Sequence, residues 1–408
     1  WLLAGAMLLA LPAMAKEGDT FRPFVSLGDF YDSNLFRLDE NESPGTQRDD
    51  RYALLSAGAN VDWKPGRQQV VANLTKTLIR YDQNTFLDFA GDDMQATWNW
   101  RLGNRLSGNL GAAKSTSQSS FSDIGQVNNQ VDRERRYGRA EWEFHPRWRI
   151  GGGLETTDNT NSAPSQLSQN VQQQVQDMVL SYRTPKGSNL RAQVRRIDAE
   201  YPNQQTLGFT IGSVPPFLFT QVWDNSYKQI EYNLLGDWRL SGKFTLRSQV
   251  GWVDRQYKNI LRNDLGGAAV LSERSDTNTL AGRASADWFA TSKTLLSVTA
   301  YQELGDVSDI NASSLLKTGA SLSGVWLIRE KWRLSLGATY ENRDFKDDSG
   351  GTQLQRNDDT LGSSLSISYT PHSAVGIDLG TRSGSRDSNI SGEDYSFHLL
   401  FVNVRANF

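Results

Sequence analysis

Arginines recur at alternating positions of short segments throughout the chain: Arg101, Arg149, Arg183, Arg191, Arg239, Arg247, Arg333, Arg382 and Arg405, with Arg105, Arg139, Arg195 and Arg283 in similar settings. Among them stand Glu141, Glu143, Glu155, Glu231, Asp237, Asp287, Glu341 and Asp378. A guanidinium grips carboxylate or phosphate through paired hydrogen bonds, so such a row can line a path for an anionic solute or an acidic polymer. The same groups can instead neutralise one another across a wall and stiffen it without selecting anything. Other chemistry finds no residues to carry it. There is no Gly-x-Ser-x-Gly, no phosphate loop and no metal-spaced histidine pair. With 0 Cys and 3 isolated His, thiolate and imidazole sites are excluded, and His145 and His372 sit beside Pro146 and Pro371 in apparent turns. We therefore expect no enzyme activity, no metal and no cofactor. Asp49-Asp50, Asp92-Asp93, Asp347-Asp348 and Asp358-Asp359 stand at loop bases, as cation sites or as solvated strand ends.

The elements that must position these arginines have a period of two. Trp332, Leu334, Leu336, Ala338 and Tyr340 share one parity, against Arg333, Ser335, Gly337, Thr339 and Glu341 on the other. Ile230, Tyr232, Leu234 and Trp238 oppose Glu231, Asn233, Asp237 and Arg239 in the same way. Tight polar connections interrupt this pattern at Lys64–Arg67, Gly103-Asn104, His145–Arg147, Thr184–Gly187, Ser241–Lys243, Ala290–Lys293, Arg329–Lys331 and Pro371–Ser373. Longer polar segments lie between them, near 33–50, 83–91, 117–132, 158–173, 202–223, 259–273, 306–312, 347–357 and 388–393. Eight turns alternating with nine loops join roughly eighteen strands, with sixteen to twenty allowed by boundary error. Both termini then fall on the short-turn side. The 202–223 loop holds Leu207–Gly212 and Pro215–Phe219, apolar enough to fold inward as a constriction or to pack as an outer hairpin.

Composition fits an all-β transmembrane, antiparallel up-and-down barrel. The chain is 22% charged and 38% hydrophobic, and no stretch supplies the ~20 apolar residues of a spanning helix. A net charge of −3 gives no electrostatic case for a nucleic-acid partner. Trp63, Trp98, Trp100, Trp148, Trp238, Trp288, Trp326 and Trp332 take the apolar parity next to short turns, as a membrane girdle would. Residues 1–15, an apolar run closing on Ala13-Met14-Ala15, read as part of a signal peptide, leaving 16–408 as one barrel domain. The last strand alternates Leu400, Val402, Val404 and Ala406 with Phe401, Asn403, Arg405 and Asn407, and the chain ends on Phe408. That ending resembles the signal read by the bacterial barrel-insertion machinery.

One short motif goes further. Phe24–Gly28 leads to Tyr31-Asp32-Ser33-Asn34-Leu35-Phe36-Arg37-Leu38, which resembles the opening signature of the EpsL-type β-barrel porins of exopolysaccharide-biosynthesis operons, with Tyr31, Asp32, Asn34 and Arg37 as the matching positions. The resemblance implies a Gram-negative outer-membrane component for polysaccharide export, partnered by outer-membrane lipid, the polysaccharide and periplasmic export proteins. It assigns no role to the motif residues, whose Asp and Asn can also satisfy turn backbone groups. We expect a passive export barrel, with the 202–223 loop and the lumen arginines as gate. A general porin for small solutes is the alternative, and a membrane hydrolase a weaker one.

Overall fold

Eighteen strands close on themselves in one antiparallel sheet. The computed structural model describes residues 19–39, 47–204, 224–259, 276–305, 314–346 and 355–408, together with the backbone of two short hairpins. In chain order the barrel strands are β1 (Phe21–Asp32), β2 (Asp50–Trp63), β3 (Gln69–Tyr81), β4 (Phe89–Leu102), β5 (Leu106–Gln118), β6 (Gln130–His145), β7 (Trp148–Asn161), β8 (Val171–Arg183) and β9 (Asn189–Glu200). They continue as β10 (Tyr227–Arg239), β11 (Phe244–Tyr257), β12 (Thr277–Thr291), β13 (Thr294–Gly305), β14 (Ser314–Arg329), β15 (Trp332–Lys346), β16 (Asn357–His372), β17 (Val375–Ser388) and β18 (Tyr395–Asn407). Each strand pairs with its sequence neighbours, and β18 returns to β1 with Phe401 opposite Phe30. Eighteen is the number that the turn-and-loop alternation implies. The proposed signal peptide, 1–15, lies outside the described residues.

Pairing carries one face around the whole ring, because residues directly opposite in an antiparallel ladder share a side. Following the register from Phe30 through Tyr52, Tyr81, Asn99 and Ser107 to Glu141 traces the inward row. The outward row carries the large apolar residues, and they are exposed: Leu154, Met178 and Leu234 each show about 65% of their surface. In water this would be an aggregating surface; against acyl chains it is the stable arrangement. All eight girdle tryptophans face outward. Trp98 donates from its indole to Gln68 in the adjoining turn at 3.1 Å, and Trp332 stacks on Tyr369 at 4.4 Å. Tyr340, outward on the same strand as Trp332, lies eight residues further up. At ~3.3 Å per residue and a tilt near 40°, the two aromatic levels stand about 20 Å apart, close to the apolar height of an outer-membrane barrel.

Adjacent acids on a strand point to opposite sides. Asp92 therefore faces out, paired with Lys76 at 2.8 Å, while Asp93 faces in. Asp358 and Asp359 divide the same way, so neither pair can chelate a cation. Asp347-Asp348 lies outside the described residues.

If the outward face meets lipid, Leu336→Arg, midway between Trp332 and Tyr340, will destabilise the folded barrel by about 2–4 kcal/mol in chemical unfolding from bilayers. A loss below about 0.5 kcal/mol would place that face in water.

Candidate functional site

Register places Arg101, Arg149, Arg183, Arg191, Arg239, Arg247, Arg333, Arg382 and Arg405 on the inward row. They do not behave alike. Arg149 on β7 reaches back to Glu141 and Glu143 on β6, at 3.1 and 2.9 Å. Arg191 on β9 meets Asp237 on β10 at 2.9 Å, and Arg247 on β11 meets Asp287 on β12 at 2.5 Å. The series extends through Arg135–Glu155, Arg139–Asp177, Arg195–Glu231 and Arg283–Glu303. Across β6–β13 the wall is thus a ladder of cross-strand ion pairs. Each is half-exposed and contributes no more than about 1 kcal/mol, so the ladder mainly cancels charge. Arg382 and Arg405 lie over the Phe401 and Phe24 rings, at 5.6 and 3.8 Å, and meet no acid among the described residues. Arg101, Arg183, Arg239 and Arg333 are exposed at the short-turn end.

The N-terminal motif forms a clasp at the opposite mouth, over the β1–β18 seam. Asp32, 2% exposed, takes both Arg37 guanidinium nitrogens at 2.9 Å. It also accepts from the Asn34 backbone N–H at 3.0 Å. The Asn34 amide donates to the carbonyls of Leu38 and Ser396 and accepts from Leu38 N–H, so its donors and acceptor are all satisfied. Arg37 has φ 58°, a left-handed conformation rare outside glycine; its fork onto Asp32 and its seat over Phe397, 3.7 Å away, hold it there. Tyr31, one residue before Asp32, faces out and donates to Asp49 at 3.2 Å.

The clasp turns Leu35 and Phe36 inward. They pack with Tyr81, Leu87 and Phe121 in a buried cluster, and Phe121 meets Phe36 edge-on at 5.0 Å. Phe121 opens a single helical turn, Phe121–Ile124, in the β5–β6 loop, capped by Ser120 and ended by Gly125 at φ 64°. Beyond that turn the loop touches the far wall. Asp123 lies 3.3 Å from Arg386 on β17 and 3.7 Å from Arg343 on β15, which stands halfway round the ring from β6. Arg386 also donates to Ser122 O at 2.8 Å and to Glu393 at 2.6 Å, and its side chain is 2% exposed. At the loop's base, buried Asn129 bonds Ser119, Asn161 and the Ala163 N–H. A strap therefore spans the mouth, anchored on both sides. Sequence reasoning missed Asp123, Arg343 and Arg386; Ser120 and Gly125 flanking a four-residue segment were the available signal for the turn, and nothing local signals where it docks.

The 202–223 gate fares differently. Leu207–Ile211 pairs with Phe217–Gln221 as a hairpin, but its side chains and residues 205–206, 212–216 and 222–223 lie outside the described residues. Near it, the inward rows of β8–β11 carry a buried apolar cluster, with Val171, Val175, Ile197, Ala199, Tyr227 and Tyr257. The lumen face is thus not uniformly polar.

Removing one partner of the clasp leaves a buried charge unpaired. Arg37→Ala should cost about 3–5 kcal/mol of barrel stability, measured by unfolding from detergent or bilayers; a loss within about 0.5 kcal/mol would mean the Asp32 carboxylate does not depend on Arg37.

Residues 249–408 match a family described as "Putative beta-barrel porin 2". The Tyr31–Leu38 motif lies outside that segment. No curated protein matches. Among solved structures, the outer membrane protein OpdK of Pseudomonas aeruginosa is 11% identical with a TM-score of 0.50, covering 95% of this chain and 99% of that one. A BenF-like porin of Pseudomonas fluorescens Pf-5 is 12% identical with a TM-score of 0.50, covering 95% and 99%. OccK2 (OpdF) of P. aeruginosa, solved in complex with glucuronate, is also 12% identical at 0.50, covering 95% and 98%. These likenesses carry no link to exopolysaccharide operons. With the exposed apolar belt and the closed ring, they show the fold of this chain to be an eighteen-stranded antiparallel transmembrane β-barrel like those of bacterial outer-membrane porins.

Proposed function

We propose that the barrel is a porin for small hydrophilic solutes. The observation that carries this reading is the strap at the mouth. A helical turn held against the opposite wall by Asp123, Arg386 and Arg343 narrows the entrance while the inward rows beneath it stay largely polar, the arrangement that passes small solutes and sieves large ones. An export path for a polysaccharide needs a bore that such a strap would obstruct. The motif that implied export has its polar groups engaged within the clasp, so it offers none to a polymer. Assembly through the barrel-insertion machinery, with Phe408 as its signal, belongs to the same proposal; the Phe408 backbone N–H bonds Pro23 O at 2.8 Å, tying the chain end to β1.

Liposome swelling with the refolded protein and neutral sugars of graded size tests this. Monosaccharides should enter quickly and long oligosaccharides not at all. Free passage of long oligosaccharides would favour export, and a folded barrel passing no sugar would end the porin reading.

A further inference from the structure

Five inward arginines without an ion pair among the described residues gather at one end of the barrel: Arg101, Arg183, Arg239, Arg333 and Arg405, while Arg133 and Arg382, also without one, stand higher on the wall. All five stand within two residues of the short-turn ends of β4, β8, β10, β15 and β18. At ~3.3 Å per residue, that confines them to the last ~7 Å of the wall. The acids near this level are already occupied. Asp62 is held by Lys64 and Gln69, each at 2.7 Å, while Glu143, Asp237 and Asp287 belong to Arg149, Arg191 and Arg247. Asp378, three residues into β17, is the inward acid left unpaired there among the described residues. Arg22, inward and likewise without an ion pair among the described residues, shares the level and adds to the ring. The turns add to the imbalance: with Arg105 counted beside Gly103-Asn104, seven of the eight carry Lys or Arg, and Glu330 is their only acid.

In outer-membrane barrels the short turns face the periplasm; we infer that this periplasmic ring is a binding station for small carboxylates and phosphates, and that the pore's anion preference is set there and not by the ion-paired arginines of β6–β13. The inference rests on the reading of the barrel as a solute pore. A guanidinium already forked onto a wall carboxylate has few donors left, whereas one without an acid keeps most of its N–H groups for a solute, as Arg405 does although its Nε donates to Asn407. Low-dielectric walls focus the field of such a ring on the axis. Screening over ~8 Å at physiological salt leaves that field strong near the periplasmic mouth and weak at the other, so capture is sided.

The test is reversal potential under a KCl gradient in planar bilayers, with citrate added to one side or the other. Wild type should be anion-selective and blocked by citrate at lower concentration from the periplasmic side. R101Q/R183Q/R239Q/R333Q/R405Q should still conduct, shift its reversal potential toward zero and lose the sidedness of the block. Because Arg405 stacks on Phe24, the four-fold variant that retains it serves if the five-fold one fails to fold; heat-modifiable migration reports folding. Conduction with unchanged selectivity and block, or a non-selective wild type, would overturn the station and leave the pore reading standing. A folded wild type that conducts nothing would overturn the pore reading itself.

Discussion

Lipid offers the backbone no hydrogen-bond partner, and the rest of this structure follows from that constraint. Each N–H and C=O at membrane depth must be answered by a neighbouring strand, so the sheet cannot keep an edge. The β1–β18 ladder, from Phe24 opposite Asn407 to Asp32 opposite Leu399, removes the last one. Once the ring is closed, the two-residue period sends every second side chain into acyl chains. The arginines and acids can then occupy only the inward row. The clasp built from Asp32, Asn34 and Arg37 stands where the closing seam meets the first loop. There it ties that loop to the Ser396 carbonyl and the Phe397 ring of the last strand.

Charge inside the barrel is divided by height. Along β6–β13, arginine and acid stand opposite one another and cancel, from Arg149 and Arg191 near the short turns up to Arg135 and Arg195 at mid-wall. At the short-turn end the arginines outnumber their partners. At the loop end the pairs serve to fasten loops: Arg386 holds Ser122, Asp123 and Glu393, while Arg356 holds Asp358 at 2.8 Å. One residue type thus neutralises, attracts and fastens at three levels, and the register of neighbouring strands decides which role each arginine takes.

What the sequence makes legible follows from that period. Strand parity, strand number, the outward tryptophans and the inward arginines are local or nearest-neighbour properties, readable from alternation and turn residues alone. The division of the arginines is not, because Arg191 and Arg239 look alike until register sets Asp237 opposite Asn189, within reach of Arg191, and leaves Arg239 at the rim. Less visible still is the strap. Asp123 and Arg386 are 263 residues apart, and their meeting depends on the curvature of the whole ring. The Tyr31–Leu38 motif suggested a secretion role by resemblance; in the structure its Asp32, Asn34 and Arg37 satisfy one another and the seam.

The strap across the mouth is the most direct point of test, and the absence of native cysteine makes it accessible. In D123C/R386C, a short thiol-to-thiol cross-linker applied to the membrane-embedded barrel should join the two positions in high yield. It should also bring the conductance of the loosened variant down to the wild-type level. Failure of the cross-link to form in a folded barrel would mean that the β5–β6 loop does not reach the β17 wall, and the constriction on which the porin reading rests would be gone.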